Sequence, residues 1–324
     1  MVPARQFGAA ILAIVALPFI PFPSHAQDDT CLRPTIQLAM FDRNWHTVKD
    51  LEPSHFAAFY HRKSVRVISI TEDPGPHRVL VLLDISGSMK FMHALEFDIA
   101  DELVRQLSPD TPVAVMAFAQ KTTAKPTFST DRQAALSQLQ AFRDDPIIPR
   151  VTGGLTALFQ SMDYGLSAFG NPELGDVLYV ITDGSDNASL LDWHKLRDEL
   201  LARGIRVFTM QVRWVNGPVV ESELDLPALV AATGGSSVVL PINFYRYEET
   251  YNQPLHDQNG SKSQLALEID MQARLISSVE RVQIELPKRG RGREVELRLA
   301  KPSKDIFLLY QHSPAPCSTP LMQK

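Results

Sequence analysis

Basic residues do not outnumber acidic ones in this chain, and long apolar runs are almost absent. There are 32 Lys and Arg against 37 Asp and Glu, and the formal net charge is −5. A mildly acidic protein gives no reason to expect nucleic acid as a partner. After the first 26 residues no segment is apolar enough to cross a bilayer, so we expect no membrane-spanning helix there.

Motifs of common hydrolases and nucleotide-binding enzymes are also missing. The chain has no G-x-S-x-G turn, no G-x-x-x-x-G-K-[ST] phosphate loop and no H-E-x-x-H helix. No zinc-ligand spacing surrounds His55 and His61, and we interpret them as ordinary polar residues. We therefore expect a protein that is not an enzyme.

The first residues have the layout of an export signal. Arg5 precedes the uncharged run FGAAILAIVALPFIPFP, and SHA then stands before Gln27, as in a signal peptide cleaved after Ala26. An uncleaved membrane anchor is the alternative, which the short run and its prolines disfavour. We expect residues 1–26 to be removed and the protein to be periplasmic or secreted.

Cysteine is scarce, with two residues in the whole chain. Cys31 and Cys317 lie near opposite ends of the expected mature protein. Because exported proteins meet an oxidising compartment, we expect the two residues to form a disulfide that ties the termini together. Two unpaired thiols are the alternative.

The middle of the chain alternates apolar runs with amphipathic stretches. The runs are HRVLVLLDIS, PVAVMAFAQ, DVLYVITDG, IRVFTMQVRW and SSVVLP. Several are apolar at every position, which is typical of strands covered by helices on both faces. The sequence therefore predicts an α/β domain over residues 76–241, with a doubly wound, mostly parallel central sheet and helices on both faces. TTAKPTFST is predicted to be a short edge strand, hairpinned to the strand before it.

Both flanks are predicted to be β-rich. Residues 27–75 contain the strand-like runs TIQLAMF and VRVISIT, with DLEPSHF as a short helix between them, and a Pro-Gly-Pro stretch marks the domain boundary. Residues 242–324 contain a polar linker and the helical stretch QLALEIDMQARLI. We expect ERVQIELP and EVELRLA to form a hairpin around KRGRGR, followed by a last strand at IFLLYQ.

Oxygen-bearing side chains collect where the predicted strands end. Asp84, Ser86 and Ser88 follow one strand, Thr156 stands at the start of a helix, and Asp183 ends another strand. Ligands of open parallel sheets bind at the carboxyl ends of strands. These donors include no Cys or His, so they suit Mg²⁺, with Mn²⁺ or Ca²⁺ as substitutes, and not zinc or copper. Alternatively, Asp84 and the serines only cap the helix.

The order of these residues resembles the metal-ion-dependent adhesion site of the von Willebrand factor type A (VWA) domain. The matching segments are DISGS, GLTAL and ITDG. In that family the D-x-S-x-S serines and the Thr contact the metal, the two Asp residues act directly or through water, and a partner's carboxylate completes the shell. The resemblance implies these roles for Ser86, Ser88, Thr156, Asp84 and Asp183. The overall layout resembles exported VWA-related proteins of the acidobacterial type, which have no assigned reaction.

The implied fold also indicates which side chains face a partner. Met89, Phe91, Trp193 and Trp214 fall in loops at the carboxyl ends of strands and are candidate apolar anchors, although each could instead pack inward. Asp186 and Asn187 could add a second cation, but a helix-leading turn explains them more simply.

These observations favour an exported binding module. It would grip an Asp or Glu carboxylate of a protein partner through a divalent ion, with no requirement for membrane contact. The alternative is a structural component of an envelope assembly, in which the metal only stabilises the fold and the β-rich flanks make the contacts. An enzyme with its site in the same crevice is a third alternative.

Overall fold

The computed structural model describes residues 33–123, 125–144, 154–214, 222–242, 263–287 and 294–313. The expected signal peptide, Cys31, Cys317 and the KRGRGR turn lie outside these residues, so cleavage and the disulfide stay predictions. The domain boundaries also stay predictions. No helix in the described part of the chain is long and apolar enough to span a bilayer.

Strands and helices are numbered here in chain order. The strands are β1 (Thr35–Asp42), β2 (Phe56–Tyr60), β3 (Lys63–Glu72), β4 (Val79–Asp84), β5 (Val113–Phe118), β6 (Val177–Thr182), β7 (Arg206–Trp214), β8 (Ser237–Ile242), β9 (Glu280–Glu285), β10 (Val295–Leu299) and β11 (Ile306–Tyr310). The helices are α1 (His93–Gln106), α2 (Arg132–Asp144), α3 (Leu158–Leu166), α4 (Trp193–Arg203), α5 (Ser222–Thr233) and α6 (Gln264–Ser277).

The central sheet has five parallel strands in the order β5-β4-β6-β7-β8. Successive side chains of a strand point to opposite faces. In β4, Val81 and Leu83 therefore pack with α1, α2 and α6, whereas Leu80 and Leu82 pack with α3, α4 and α5. The predicted doubly wound α/β domain is confirmed. Helix α6, from the C-terminal region, covers part of one face.

The predicted edge strand at TTAKPTFST is not present as a regular strand. The described residues of this segment make only isolated antiparallel bridges to β5, at Thr122 and Ser129. Pro126 has no backbone N–H to donate, so it interrupts a hydrogen-bonded ladder. Strand β5 is therefore followed by a loop and then by α2.

A second sheet combines both flanks of the chain. Its six strands are all paired antiparallel, in the order β10-β2-β3-β9-β1-β11. The predicted strands β1, β3, β9, β10 and β11 are confirmed. The predicted helix at DLEPSHF is only a 3₁₀ turn, Pro53–His55, and β2 follows it directly.

The predicted C-terminal hairpin is wrong. Strand β9 lies between β3 and β1, whereas β10 pairs with β2. The central position buries Val282 and Ile284 of β9 against Ile36 and Val67 of its two neighbours. In a hairpin, β10 would pair with only one edge of β9, and the other edge would need a different partner. In the structure, β1 and β3 pair with both edges of β9.

Buried polar groups join the C-terminal region to the central sheet. Arg206 of β7 is fully buried and donates to the carbonyls of Leu275 (3.1 Å) and Ile276 (2.8 Å) at the end of α6. The hydroxyl of Tyr179 donates to the side chain of Gln272 in α6. These contacts satisfy buried polar groups that would otherwise be costly, and they hold α6 on the sheet.

Candidate metal site

Asp84 is the last residue of β4, and its carboxylate is fully buried. One oxygen, Oδ1, accepts a hydrogen bond from the backbone N–H of Ser86 at 3.0 Å. The other, Oδ2, accepts from the hydroxyl of Thr182 at 2.6 Å. Thr182 ends the neighbouring strand β6, so both carboxylate oxygens are held in place. The sequence analysis did not identify Thr182 as a hydrogen-bond donor to Asp84. Its position directly before Asp183, at the end of a strand, could have indicated this role.

The two serines lie on one side of a tight turn after β4. The turn continues as a 3₁₀ segment, Gly87–Met89. The hydroxyl oxygens of Ser86 and Ser88 lie 3.1 Å apart. Ser86 is buried and Ser88 is exposed, so the pair leads from the interior to the surface. This is the arrangement that a surface-accessible ion would need.

Thr156 is held by the loop that follows Asp183. Its backbone N–H donates to the side chain of Asn187 at 2.7 Å, and its carbonyl accepts from the N–H groups of Asn187 and Ala188, both at 3.0 Å. The side chain of Asp186 accepts from the N–H of Phe159 at 3.0 Å, in the first turn of α3. Asp186 and Asn187 therefore bind the backbone around Thr156, which agrees with the turn interpretation.

Asp183 follows β6 directly and is buried. Its Oδ1 accepts from the N–H of Ser185 at 2.9 Å. The structure thus places Asp84, Ser86 and Ser88 in one hydrogen-bonded turn. The bond from Thr182 to Asp84 links this turn to the end of β6, directly before Asp183. Thr156 is hydrogen-bonded to the loop that follows Asp183. The five residues remain predicted ligands.

The two aspartates form a region of uncompensated negative charge. Burial and the nearby charge of Asp183 raise the pKa of Asp84 from 3.8 to about 7. None of the ion pairs formed by the described residues includes Asp84 or Asp183. Two buried carboxylates without a cationic side chain are electrostatically unfavourable unless a cation joins them.

Glu96 is a further acidic residue that sequence reasoning missed. It lies on α1 and is completely buried. Burial, together with the charges of Asp84 and Asp183, raises its pKa well above the usual range. A signal was available in the sequence. Glu96 occupies the same helical face as Ala100 and Leu103, where an apolar residue is expected.

The predicted partner-facing residues have different environments. Met89 is 0% exposed and packs in the apolar core, so this prediction is wrong; the 3₁₀ turn directs its side chain inward. Phe91 is 64% exposed. Trp193 and Trp214 are half-buried and pack against the apolar clusters on the two faces of the sheet.

Two leucines in the same loops are more exposed than these tryptophans. Leu155, next to Thr156, is 45% exposed, and Leu190, in the loop after Asp183, is 97% exposed. The sequence analysis did not single out either side chain.

A family profile decides the classification of the chain. The profile of the von Willebrand factor type A domain matches residues 79–240, half of the 324-residue chain. The protein belongs to the VWA family. VWA domains are often interaction modules, and they commonly bind a divalent metal at the adhesion site. No curated protein sequence matches the chain.

Several solved structures are similar to this VWA protein. BatB from Bacteroides thetaiotaomicron is 18% identical, with 55% of this chain and 96% of that chain covered and a TM-score of 0.42. An aerotolerance-related membrane protein from Bacteroides fragilis, with multiple mutations to serines, is 19% identical, with 55% and 98% covered and a TM-score of 0.42. A von Willebrand factor type A protein from Catenulispora acidiphila is 13% identical, with 89% and 73% covered and a TM-score of 0.44.

Proposed function

We propose that this protein is an exported binding module that uses a divalent cation, Mg²⁺ in the first instance, to bind an Asp or Glu carboxylate of a protein partner. It is not an enzyme in this proposal. The residues that would hold the ion are Asp84, Ser86, Ser88, Thr156 and Asp183. When bound, the ion would supply positive charge for the partner's acidic group.

The observation that carries this proposal is the uncompensated charge of the two aspartates. Asp84 and Asp183 are both buried, and each repels the other's charge. A hard divalent cation would neutralise both, and carboxylates and hydroxyls are the ligands such ions prefer. Because three of the five donors are neutral hydroxyls, part of the ion's charge would remain for an external anion.

The spacing of the serine hydroxyls also fits a small octahedral ion. Two ligands at right angles around Mg²⁺, each at about 2.1 Å, are about 3 Å apart. The oxygens of Ser86 and Ser88 are separated by 3.1 Å. The turn after β4 therefore holds this pair at a distance that suits adjacent coordination positions.

Exposed apolar side chains around the site suit a protein partner better than a free small anion. Phe91, Leu155 and Leu190 come from three separate loops, each of which carries or adjoins a predicted ligand. Burying them would add affinity that is independent of the ion. Their substitution should therefore weaken capture without changing ion binding.

A capture experiment tests the proposal. The mature protein is immobilised and exposed to the exported fraction of the host with Mg²⁺ or with EDTA, and the captured partner is purified for direct affinity measurement. We expect Asp84→Ala and Ser86→Ala to abolish binding while the melting temperature stays near normal. Ser129→Ala is the matched control, because its hydroxyl accepts a hydrogen bond from the backbone N–H of Asp131, in the turn before α2. Partner binding that persists in EDTA would contradict the proposal.

One observation favours a structural component of an assembly as a second candidate. Phe41, Trp45 and Phe307 form a stack of rings with centroids 4.6 to 6.1 Å apart, and Trp45 and Phe307 are exposed. These rings lie on or beside β1 and β11 of the second sheet, whose strands contain none of the predicted ligands. In this case Trp45→Ala would abolish assembly, and Asp84→Ala would act only by lowering stability.

A further inference from the structure

The tight turn after β1 holds one of its residues in an unusual backbone conformation. Trp45 has φ 61°, in the left-handed region that bulky side chains rarely adopt. The carboxylate of Asp42 accepts hydrogen bonds from the backbone N–H groups of Asn44 (2.8 Å) and His46 (2.9 Å), and its carbonyl accepts from the N–H of Trp45 (3.0 Å). Strained positions persist where the surrounding structure enforces them, and they are frequent at ligand-binding sites. The turn therefore fixes the direction of the Trp45 side chain.

The indole ring of Trp45 is supported from within the protein and remains partly open to solvent. It stacks on Phe41, with the ring centroids 4.6 Å apart, and Phe41 is buried in the apolar core. A second ring, Phe307, lies at 6.1 Å. Trp45 nevertheless remains 42% exposed. A ring that is ordered before a ligand arrives loses little conformational freedom on binding.

Trp45 lines a recess of about 360 Å³ between this turn and helix α6. Leu267, which is 49% exposed, and Met271 add apolar lining from α6. The polar residues around the recess are Asn44, Gln264, Glu268, Asp270 and Arg274. Small-molecule sites are concave, about 300–1,000 Å³ in volume, and combine apolar lining with a limited number of polar groups. The recess therefore has the size and composition of a small site of this kind.

The polar side chains that α6 contributes to the recess are held in two pairs. Gln264 donates to the carboxylate of Glu268 at 2.9 Å, and Arg274 donates to the carboxylate of Asp270 at 2.7 Å. A carboxylate can accept at both oxygens and a guanidinium carries five N–H donors, so Glu268 and Arg274 can bond to further groups. The recess thus offers both acceptors and donors, and charges of both signs.

This combination favours a neutral ligand with hydroxyl groups. A cationic ligand would be repelled by Arg274, and an anionic one by Glu268 and Asp270. A hydroxyl group both donates and accepts, so it can bond to either kind of side chain. A saccharide has hydroxyls around a ring whose C–H groups form an apolar face, and slightly positive C–H groups are attracted to the negative face of an aromatic ring.

We infer that this recess is a saccharide-binding site, in which a sugar ring packs on Trp45 and its hydroxyls bond to Glu268 and Arg274. The inference goes beyond the proposed function, because none of the five predicted metal ligands lines the recess. Saccharide binding should therefore be the same with Mg²⁺ and with EDTA.

Saccharide titrations of the mature protein, followed by saturation-transfer NMR of the saccharide signals, test the inference. The panel is glucose, galactose, mannose, N-acetylglucosamine, cellobiose, lactose and chitobiose, each with Mg²⁺ and with EDTA. N-acetyl-lysine amide is the cationic comparison. We expect at least one saccharide to bind saturably and equally in both conditions.

Variants locate the binding at the recess. Trp45→Ala and Glu268→Ala should each weaken it about tenfold, through the loss of ring stacking and of a hydrogen bond to a charged group. Trp45→Phe keeps an aromatic ring and should retain most of the affinity. Phe91→Ala is the matched control, because it removes an exposed aromatic ring in the segment after β4, and it should bind as the wild type does.

Melting temperatures establish that each variant is folded. If Trp45→Ala does not fold, Glu268→Ala serves for the same titration, because Glu268 is a partly exposed residue of α6.

Several results would overturn the inference. One is that no saccharide of the panel binds, or that N-acetyl-lysine amide binds in their place. Another is saccharide binding that is unchanged in both Trp45→Ala and Glu268→Ala, or that requires Mg²⁺. The absence of saccharide binding would leave the proposed function intact, because that function is tested by Mg²⁺-dependent capture of a protein partner.

Discussion

The two sheets of this protein bury their strands differently. In the central parallel sheet, every residue of β4, β5 and β6 is buried. In the antiparallel sheet, burial alternates along β2, and β9 is buried only at Val282 and Ile284. Helices cover both faces of the first sheet, whereas the second keeps one face partly open to solvent. Two of the predicted ligands, Asp84 and Asp183, lie at or directly after the ends of strands of the doubly covered sheet.

Two aspartates with buried side chains, one from each sheet, make the same comparison in electrostatic terms. Asp73 follows β3, and burial alone would raise its pKa, but hydrogen bonds from His77 and Gln37 and the ion pair with Arg281 lower it far below the usual range. Asp84 is the last residue of β4 and has no such cation, so burial and the charge of Asp183 raise its pKa to about 7. Asp73 thus has a cationic partner within the protein, Arg281, whereas none of the ion pairs formed by the described residues includes Asp84.

The largest expected effect concerns this pair of aspartates. In metal-free protein the folded pKa of Asp84, about 7, lies above its ordinary value of 3.8, so the folded state binds more protons between these values. Stability should therefore fall as pH rises from about 4 to about 7, by up to about 4 kcal/mol relative to Asp84→Asn. Urea unfolding in EDTA across this interval measures the difference.

Asp73→Asn is the matched comparison, with the opposite sign. Because the pKa of Asp73 is lowered in the folded protein, its ionised carboxylate stabilises the fold above about pH 4. This stabilisation is lost as pH falls below that value. His312, whose pKa is lowered by burial, is common to all these proteins and cancels in the differences. Glu96 does not cancel, because the charge of Asp84 helps to raise its pKa, so the measured difference for Asp84→Asn includes the response of Glu96. Parallel stability curves for wild type and Asp84→Asn would contradict the account of Asp84.

A second test compares one substitution in the two sheets. Leu82 of β4 is fully buried, and Leu308 of β11 is half-buried. We expect Leu82→Ala to lower the free energy of unfolding by about 4 kcal/mol, because it leaves a cavity, and Leu308→Ala by about 1 kcal/mol. Denaturant unfolding of both variants checks this, and equal losses would remove the distinction between the sheets.

A third test concerns the junction between the two regions. Gly234, after α5, has φ +76°, and a Cβ there would lie 2.6 Å from the backbone carbon of Tyr310 in β11. Gly170 has φ +59° and open space around it. In both Ala variants, the left-handed backbone conformation should lower the free energy of unfolding by about 1 kcal/mol. In Gly234→Ala, the clash with Tyr310 should lower it by about 2 kcal/mol more. Similar melting temperatures for the two variants would argue against a tight junction.

The smallest expected effect concerns the contact between α6 and the central sheet. Tyr179→Phe removes the hydroxyl that bonds to Gln272 and leaves a buried amide oxygen unsatisfied. We expect the free energy of unfolding to fall by about 1 kcal/mol. Tyr164→Phe, at an exposed position, should be neutral. If Tyr179→Phe is also neutral in denaturant unfolding, this hydrogen bond does not hold α6 in place.

Local sequence was sufficient for the central sheet and for the identity of the predicted ligands. Strands buried on both faces must be apolar at consecutive positions, so β4, β5 and β6 could be recognised without any knowledge of their neighbours. The donors Asp84, Ser86 and Ser88 are close in the chain, and a short turn brings their oxygens together.

Long-range pairing decided the rest. Whether β9 pairs with β10 or lies between β3 and β1 depends on contacts between distant parts of the chain, which alternation along one strand does not specify. The same holds for side-chain direction. Met89 points into the core and Phe91 into solvent, although both follow the same motif. Only the packing of α1 on β4 and β6 brings the buried Glu96 within range of Asp84 and Asp183, whose charges help to raise its pKa, because this effect depends on position in space and not on spacing in the chain.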